Sequence, residues 1–139
     1  MTDDIHFSSK SNEWATPQDF YDKLNEEFKF TLDPCATKEN AKCVNFYTIE
    51  DDGLKQNWDN KTVFCNPPYG RQIKHWVKKA SESKGLVVML IPARTDTIYF
   101  HDYIYKKPNV EIRFIKGRLK FGESKNSAPF PSMLVIFNS

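Results

Sequence analysis

The stretch KTVFCNPPYGRQIKHWVKKASESKGLVVMLIP, residues 61–92, contains the signals for a strand, a helix and a second strand in succession. Residues 61–65 are rich in β-branched and aromatic side chains, and the two prolines that follow end the strand. Residues 72–83 place apolar side chains at helical spacing, and residues 85–92 form an unbroken apolar run. Such a run is typical of a strand covered on both faces. The stretch therefore predicts a β–α–β unit.

The segments on either side continue this alternation. Thr16 can cap a helix over residues 16–28, Pro17 suits its first position, and Asp19 completes a pattern like a capping box. Strands that alternate with helices of about ten residues imply an α/β layered fold with a mainly parallel sheet. The remaining predicted elements are a helix at 95–107 and strands at 29–33, 44–49, 110–116 and 131–137.

The composition is that of an ordinary soluble domain. The chain has 139 residues, of which 40% are hydrophobic and 27% are charged. These values predict one folded domain over residues 13–139, preceded by a flexible polar segment at residues 1–12. No signal-peptide pattern is visible, and the longest apolar run, residues 86–93, is too short to span a bilayer. We therefore expect a cytoplasmic protein with no membrane partner.

The cysteines point to a reducing compartment. Cys35, Cys43 and Cys65 are odd in number and form no Cys-x-x-Cys pair. With the three histidines they offer zinc ligands, but their spacings match no ligand pattern. Buried apolar thiols explain them better, and we expect no metal.

The charge is unevenly distributed along the chain. Residues 1–69 contain seven lysines against thirteen acidic residues, a net charge of −6. Residues 70–139 contain thirteen basic against five acidic residues, a net charge of +8. Such asymmetry suggests that one part of the surface meets a polyanion such as a nucleic acid. The alternative is a chance unevenness along the chain.

Asn66, Pro67, Pro68 and Tyr69 follow the strand at 61–65 and have an unusual composition. Two adjacent prolines remove two backbone donors and fix two φ angles, so the segment is rigid. One interpretation is a rigid turn alone. The other is a binding site, because the Asn66 amide oxygen and the Pro67 carbonyl can both accept hydrogen bonds from one NH₂ group. The Tyr69 ring can then stack on a planar ligand.

An exocyclic amine on an aromatic ring is the group that suits such a site. Its lone pair is delocalised into the ring, which makes it a poor nucleophile. Two acceptors that hold both N–H bonds favour tetrahedral geometry and free the lone pair for attack on an activated methyl group. A second segment, DPCAT at residues 33–37, also follows a predicted strand. Ligands of parallel sheets bind beyond the carboxyl ends of the strands, so we expect both segments in one crevice.

The sequence also resembles a known family in several blocks. Asn-Pro-Pro-Tyr after an apolar strand resembles motif IV of the S-adenosylmethionine-dependent amino-methyltransferases. With the blocks around it, the match to the phage-type DNA N6-adenine methyltransferases runs from Glu13 to Phe137. The resemblance implies a compact, abbreviated Rossmann-like fold and S-adenosylmethionine as cofactor. The blocks are EWATPQDFYDKLNEEFKFTLDPCAT, DGLKQNW, VFCNPPYGRQIKHWVKKA, MLIPARTDTIYFHDYI, IRFIKGRLKF and APFPSMLVIF.

The resemblance further implies the partner and the setting. The partner is double-stranded DNA, from which the target adenine must be flipped out. Methyl transfer would need neither a metal nor a covalent enzyme intermediate. The setting is the cytoplasm of a bacterial host, with a phage or prophage gene whose product protects its DNA against restriction. No separate target-recognition domain is visible, so specificity comes from loops, from a second subunit, or is slight. No pattern in the sequence specifies an oligomeric state.

Transferred position by position, the resemblance assigns roles to individual residues. The target adenine would be held and stacked by the Asn-Pro-Pro-Tyr segment, and Phe130 would pack on the flipped base. A structural role is the alternative for each cofactor residue: a helix start, a loop acid or a core side chain. The cofactor residues are Trp14, Thr16, Pro17, Asp33, Cys35, Asp52 and Asn66.

Four basic residues lie at predicted strand or motif ends, where they could contact phosphates. The alternative for each is a solvated surface charge. They are Arg71, Arg94, Lys116 and Arg118.

The sequence departs from the family pattern around the cofactor. Related enzymes carry glycines after the first acidic residue, but residues 33–43 contain none. The short distance from Asp33 to Asn66 predicts that an element of the cofactor half is lost or shortened, and Glu50 or Asp51 is left as the ribose partner. Two rival functions stay open: methylation of an RNA or protein amine, and DNA binding by an inactive descendant of a methyltransferase.

Overall fold

The β–α–β unit at the centre of the sequence folds as its pattern predicts. In the computed structural model, β1 spans Lys61–Cys65, α2 spans Ile73–Glu82 and β2 spans Gly85–Pro92. The two strands are parallel, with Lys61 opposite Gly85 and Cys65 opposite Met89. The structure describes residues 15–122 and 127–139, so Trp14 and the predicted flexible segment at 1–12 lie outside the described residues.

The sheet is mixed, and the prediction of a mainly parallel sheet is wrong. Its strand order is β1-β2-β4-β3, where β3 spans Val110–Phe114 and β4 spans Ser132–Asn138. β4 runs antiparallel to both of its neighbours. A parallel return from β3 would need a crossover, usually a helix, and the described part of residues 115–131 contains no helix. The continuous apolar pattern of β4 fits a buried central strand of either direction.

The sheet continues beyond β1 through single bridges. Leu32 pairs with Val63 and Asp33 with Phe46, both in parallel orientation. The strand predicted at 29–33 is therefore reduced to two bridged positions, and the strand predicted at 44–49 to one. Pro34 directly after Asp33 has no backbone N–H to continue the ladder, which accounts for the short pairing.

Helices cover both faces of the sheet. α1, residues Gln18–Phe28, packs Tyr21 and Leu24 against the face that carries Phe64 and Val88. α2 packs on the opposite face, since side chains alternate between faces along a strand. The predicted cap of α1 is wrong: Pro17 occupies the cap position and no side chain caps the helix.

The helix predicted at 95–107 is a short π-helix at Phe100–Ile104, whose Phe100 and Ile104 are buried in the α2 face of the core. No helix in the described ranges is long and apolar enough to cross a membrane.

The strand directions bring several loops to one edge of the sheet. β1, β2 and β3 all end there, because β1 and β2 are parallel and β3, like β2, is antiparallel to β4. The Leu32–Asp33 segment is parallel to β1 and ends at the same edge. The chain leaves Asp33 towards Phe46 on one side and leaves β1 towards β2 on the other. A crevice opens where connections diverge in this way.

Candidate active site

A cavity of about 780 Å³ lies at this divergence, between the loop after Asp33 and the segment after β1. The turn at residues 48–54 forms a further wall. The prediction that the DPCAT and Asn-Pro-Pro-Tyr segments share one crevice is confirmed. The sequence-predicted residues that line the cavity are Thr16, Asp33, Cys35, Glu50, Asp52, Asn66, Pro67, Pro68 and Tyr69.

The Asn66 carboxamide is held at both ends. Its Nδ2 donates a hydrogen bond to the Thr16 hydroxyl at 3.0 Å, and its Oδ1 accepts one from the Tyr69 hydroxyl at 2.7 Å. Burial raises the pKa of the Tyr69 hydroxyl well above its ordinary value, so the hydroxyl keeps its proton and can donate. An amide oxygen carries two lone pairs and can accept two hydrogen bonds.

The Tyr69 ring belongs to an aromatic group that extends to the loop before β4. Its centroid lies 5.7 Å from that of Phe130 and 6.3 Å from that of Phe121, both edge-on. Edge-to-face contacts of this kind are favourable and directional. Phe130 thus lies beside the segment to which the sequence assigned it. Phe121, which is fully buried, is a contact that the sequence did not predict.

Asp33 is a buried carboxylate in the cavity wall. It is 4% exposed, and its two oxygens accept the backbone N–H groups of Cys35 and Lys42 at 3.4 and 3.2 Å. Burial raises its pKa to about 7, and the two backbone hydrogen bonds offset only part of that rise. A buried charge is costly unless it is paired, so this wall favours a cationic ligand group.

Gly53 allows two loops of the cavity wall to approach each other closely. A Cβ at this position would lie 2.1 Å from the Pro34 carbonyl oxygen and 3.0 Å from Cη2 of Trp76. Only glycine allows the 48–54 turn to contact the loop that begins at Asp33. Its carbonyl accepts a hydrogen bond of 2.9 Å from the Trp58 indole N–H, which fixes the turn from below. The sequence signal for this position is an isolated glycine after two aspartates, a pattern that by itself indicates only a turn.

Comparison with known proteins gives the family. Residues 6–139 match the family model described as DNA N-6-adenine-methyltransferase (Dam). The chain belongs to this family. The predicted family and the predicted class of enzyme, an adenine-specific DNA methyltransferase, are confirmed.

Two phage proteins are relatives of this Dam-family chain. The DNA N-6-adenine-methyltransferase of Haemophilus phage HP1 is 30% identical over 147 residues, covering 99% of this chain and 84% of that protein. The DNA N-6-adenine-methyltransferase of Escherichia phage T1 is 39% identical over 92 residues, covering 63% of this chain and 38% of that protein. Their sources agree with the predicted phage type.

The four basic residues of the Dam-family chain are exposed and follow strands that end at the cavity edge. Arg71 follows β1, Arg94 follows β2, and both Lys116 and Arg118 follow β3. The Arg118 guanidinium donates to the Ala128 carbonyl at 3.4 Å, which ties it to the loop that carries Phe130. None of the four lines the cavity itself.

The other predicted residues divide between the cavity and its surroundings. Glu50 lines the cavity, whereas the Asp51 carboxylate accepts the Thr48 backbone N–H at 2.9 Å and turns away into that loop. Pro17 is not in the cavity lining and serves as the helix cap. Trp76 is buried in the core, as the helical spacing of residues 72–83 predicts, and it also lines the cavity. Within residues 15–122 and 127–139, no group of three or more His, Cys, Asp or Glu side chains is arranged to hold a metal.

Proposed function

We propose that this protein transfers a methyl group from S-adenosylmethionine to N6 of an adenine flipped out of double-stranded DNA. One observation carries the proposal. The Asn66–Tyr69 segment opens onto the same cavity as the buried Asp33 carboxylate, so an amine site and a cation site adjoin. Membership of the Dam family supports the same reaction.

The sheet supports the finer assignment to an abbreviated Rossmann-like methyltransferase fold. Helices lie on both faces, and the cavity occupies the point at which the connections diverge. The cofactor half is short, because the positions at Asp33 and Phe46 are single bridges. Loops, and not long strands, therefore form most of the wall around the cofactor.

The cavity residues fit S-adenosylmethionine. A volume of about 780 Å³ lies within the usual range of small-molecule sites. The molecule is cationic at its sulfonium and ammonium groups, and the Asp33 carboxylate is the buried anion that such a cation would neutralise. Asp52, Glu50 and Thr16 provide further polar groups on the wall. When bound, the cofactor supplies an electrophilic methyl group.

The Asn66–Tyr69 segment would prepare the target amine. Asn66 Oδ1 and the Pro67 carbonyl accept the two N–H bonds, which pulls the nitrogen towards tetrahedral geometry and localises its lone pair. Tyr69 stacks on the base, and Phe130 and Phe121 support the tyrosine ring from the side. No strong base is required, since the amine proton can leave for solvent after the methyl group has been transferred.

The reaction is tested with purified protein, S-adenosylmethionine labelled in its methyl group and DNA from a methylation-free host. Label should enter the DNA, and nucleoside analysis should find it as N6-methyladenine. Label that resists DNase but is released by RNase or by protease would show that the substrate is RNA or protein, respectively, and would contradict the proposal. A protein that binds DNA but shows no calorimetric binding of the cofactor at millimolar concentration would be an inactive DNA-binding descendant.

Phosphate contacts at the cavity edge predict a salt-dependent loss of DNA affinity in charge variants. Lys116→Ala should weaken binding to all DNA sequences and reduce the slope of log K against log salt by about one unit. Lys84→Ala is the matched control, because Lys84 is also exposed but precedes β2 at the opposite edge of the sheet. Fluorescence anisotropy with a labelled duplex over a salt series measures both. Equal slopes for the two variants would remove Lys116 from the interface.

The raised pKa of Asp33 predicts a pH dependence of cofactor binding. Burial favours the neutral acid in the free protein, whereas a cationic ligand requires the carboxylate. Affinity for S-adenosylmethionine should therefore rise with pH up to about 7, by about tenfold per pH unit while the free carboxyl is protonated. The free energy of unfolding of the free protein should change in the opposite sense, because ionisation of the buried group costs more than in the unfolded chain.

Isothermal titration calorimetry between about pH 5.5 and about pH 7.5 measures this dependence. Asp33→Asn, which cannot ionise, should bind weakly with a flat profile. A wild-type profile as flat as that of Asp33→Asn would show that Asp33 does not meet the cationic groups.

A further inference from the structure

A chain of three side chains connects the segment before α1 to the target site. Thr16 Oγ1 accepts from Asn66 Nδ2 at 3.0 Å, and the Tyr69 hydroxyl donates to Asn66 Oδ1 at 2.7 Å. The Tyr69 hydroxyl also lies 3.2 Å from the Leu90 carbonyl oxygen in β2. Thr16 is 6% exposed although it lies outside any helix or strand. Its burial serves the contact with Asn66, fifty positions away.

The two ends of a carboxamide have nearly the same shape but opposite hydrogen-bonding properties. The oxygen accepts and the nitrogen donates, so a rotation of 180° would present two N–H groups where an acceptor is needed. The target amine donates. A reversed Asn66 would therefore repel the group that it has to hold, at little cost in packing.

The two hydroxyl groups select the productive orientation. Tyr69 donates most closely to Asn66, since 2.7 Å is shorter than its 3.2 Å distance to the Leu90 carbonyl. The 2.7 Å separation from the Tyr69 hydroxyl is the usual length of an O–H···O hydrogen bond, and the 3.0 Å separation from the Thr16 hydroxyl is the usual length of an N–H···O hydrogen bond. These lengths fit an Asn66 oxygen that faces Tyr69 and an Asn66 nitrogen that faces Thr16. Thr16 accepts from this nitrogen, so both neighbours agree.

We propose that the hydroxyl groups of Thr16 and Tyr69 are positioning groups that hold the Asn66 carboxamide with Oδ1 towards the target amine. This inference rests on the proposed methyl transfer to an exocyclic amine. It gives the Tyr69 side chain two separable functions, with the ring stacking on the base and the hydroxyl orienting the amide. It also gives Thr16 a task at the base site in addition to its place in the cofactor cavity.

Variants without the hydroxyl test the idea. Thr16→Val keeps the shape of the side chain, and Tyr69→Phe keeps the ring. Each should lower kcat about tenfold, with smaller changes in KM for DNA and for the cofactor. Thr16→Ser loses the methyl group but keeps the hydroxyl and should restore most of kcat. Thr31→Val and Tyr105→Phe are the controls, because Thr31 lies beside the amino end of β1 and Tyr105 is 44% exposed after the π-helix.

A free-protein measurement separates orientation from turnover. The side-chain NH₂ resonances of Asn66 should shift in Thr16→Val and stay in place in Thr31→Val. Wild-type kcat in Thr16→Val, or a kcat that serine does not restore, would overturn the inference. If the wild-type protein methylates no DNA, the proposed function fails. If the wild-type protein methylates DNA and Thr16→Val has the same kcat, only the positioning role fails.

The Asn66→Asp background provides a second test. A carboxylate has two equivalent oxygens, so either orientation presents an acceptor and the positioning task disappears. In this background Thr16→Val should reduce kcat less than it does in the wild type. An equal reduction in both backgrounds would show that Thr16 acts through the fold. If Asn66→Asp is inactive, the positioning role of Thr16 is tested by the kcat values of Thr16→Val and Thr16→Ser in the wild-type background.

Discussion

Asn66→Ala should lower kcat for methyl transfer by about 10²- to 10³-fold, the usual cost of removing one preorganised polar group from a transition state. The substitution removes the Oδ1 acceptor and leaves the Thr16 and Tyr69 hydroxyls without the amide that joins them. Affinity for the cofactor should fall much less than kcat, because the Asp33 side of the cavity is untouched. The measurement is single-turnover transfer of labelled methyl to an unmethylated duplex.

Asn109→Ala is the matched control for this experiment. Asn109 is exposed and precedes β3, so it lies at the edge of the sheet opposite the cavity. Circular dichroism and thermal unfolding should show both variants folded. A wild-type kcat in Asn66→Ala would show that the Asn66 side chain takes no part in methyl transfer, even though the chain belongs to the Dam family.

Gly53→Ala should abolish measurable cofactor binding and destabilise the fold. The added methyl group would lie 2.1 Å from the Pro34 carbonyl oxygen. This oxygen belongs to the backbone of a buried residue next to Asp33. Overpacking of this kind usually costs about 1–3 kcal/mol, and here the displaced atoms form the cavity wall. Urea unfolding measures the loss in free energy of unfolding, and calorimetry with S-adenosylmethionine measures the loss of the site.

Gly117→Ala distinguishes a steric from a conformational requirement for glycine. Gly117 has a φ of 75° and no atom within 4 Å of a Cβ, so alanine there meets only the backbone penalty of about 1–2 kcal/mol. It should leave cofactor binding intact. Gly53→Ala that binds the cofactor as tightly as Gly117→Ala would mean that the 48–54 turn can move away from Pro34 without consequence.

The sequence predicts the β–α–β unit well because local and global signals agree there. The bounds of β1 and β2 match the prediction at every residue, since prolines end one strand and an unbroken apolar run defines the other. The direction of β4 could not be inferred in the same way. A buried central strand has the same apolar sequence pattern whether its neighbours are parallel or antiparallel. Its direction is set by the path of the chain between the strands. Thr16 was misassigned as a cap because its hydroxyl forms a contact with Asn66 that is distant in sequence.

The candidate site was predicted where the chemistry lies in one short segment and missed where it depends on packing. Asn66 and Tyr69 carry recognisable functional groups at a strand end. Gly53 and Trp76 determine the shape of the cavity wall. That shape depends on which loops pack together, and no local sequence pattern specifies this packing. The absence of glycine in residues 33–43 raised a doubt about cofactor binding. The structure has a glycine, Gly53, on the facing turn, where it permits close packing of the two loops that form the cavity wall.

The position of β4 has a consequence for how the protein is made. β4 is the last of the four strands in the chain, yet it lies between β2 and β3 and alone joins β3 to the sheet. In a nascent chain on the ribosome that has exposed β1, β2 and β3, the two strand edges that β4 will pair, one on β2 and one on β3, are still open. The core on both faces can therefore close only after residues 132–138 have left the exit tunnel, and pairing over such sequence distances is slow. Until then, we expect the incomplete sheet to bind chaperones that recognise exposed apolar strands.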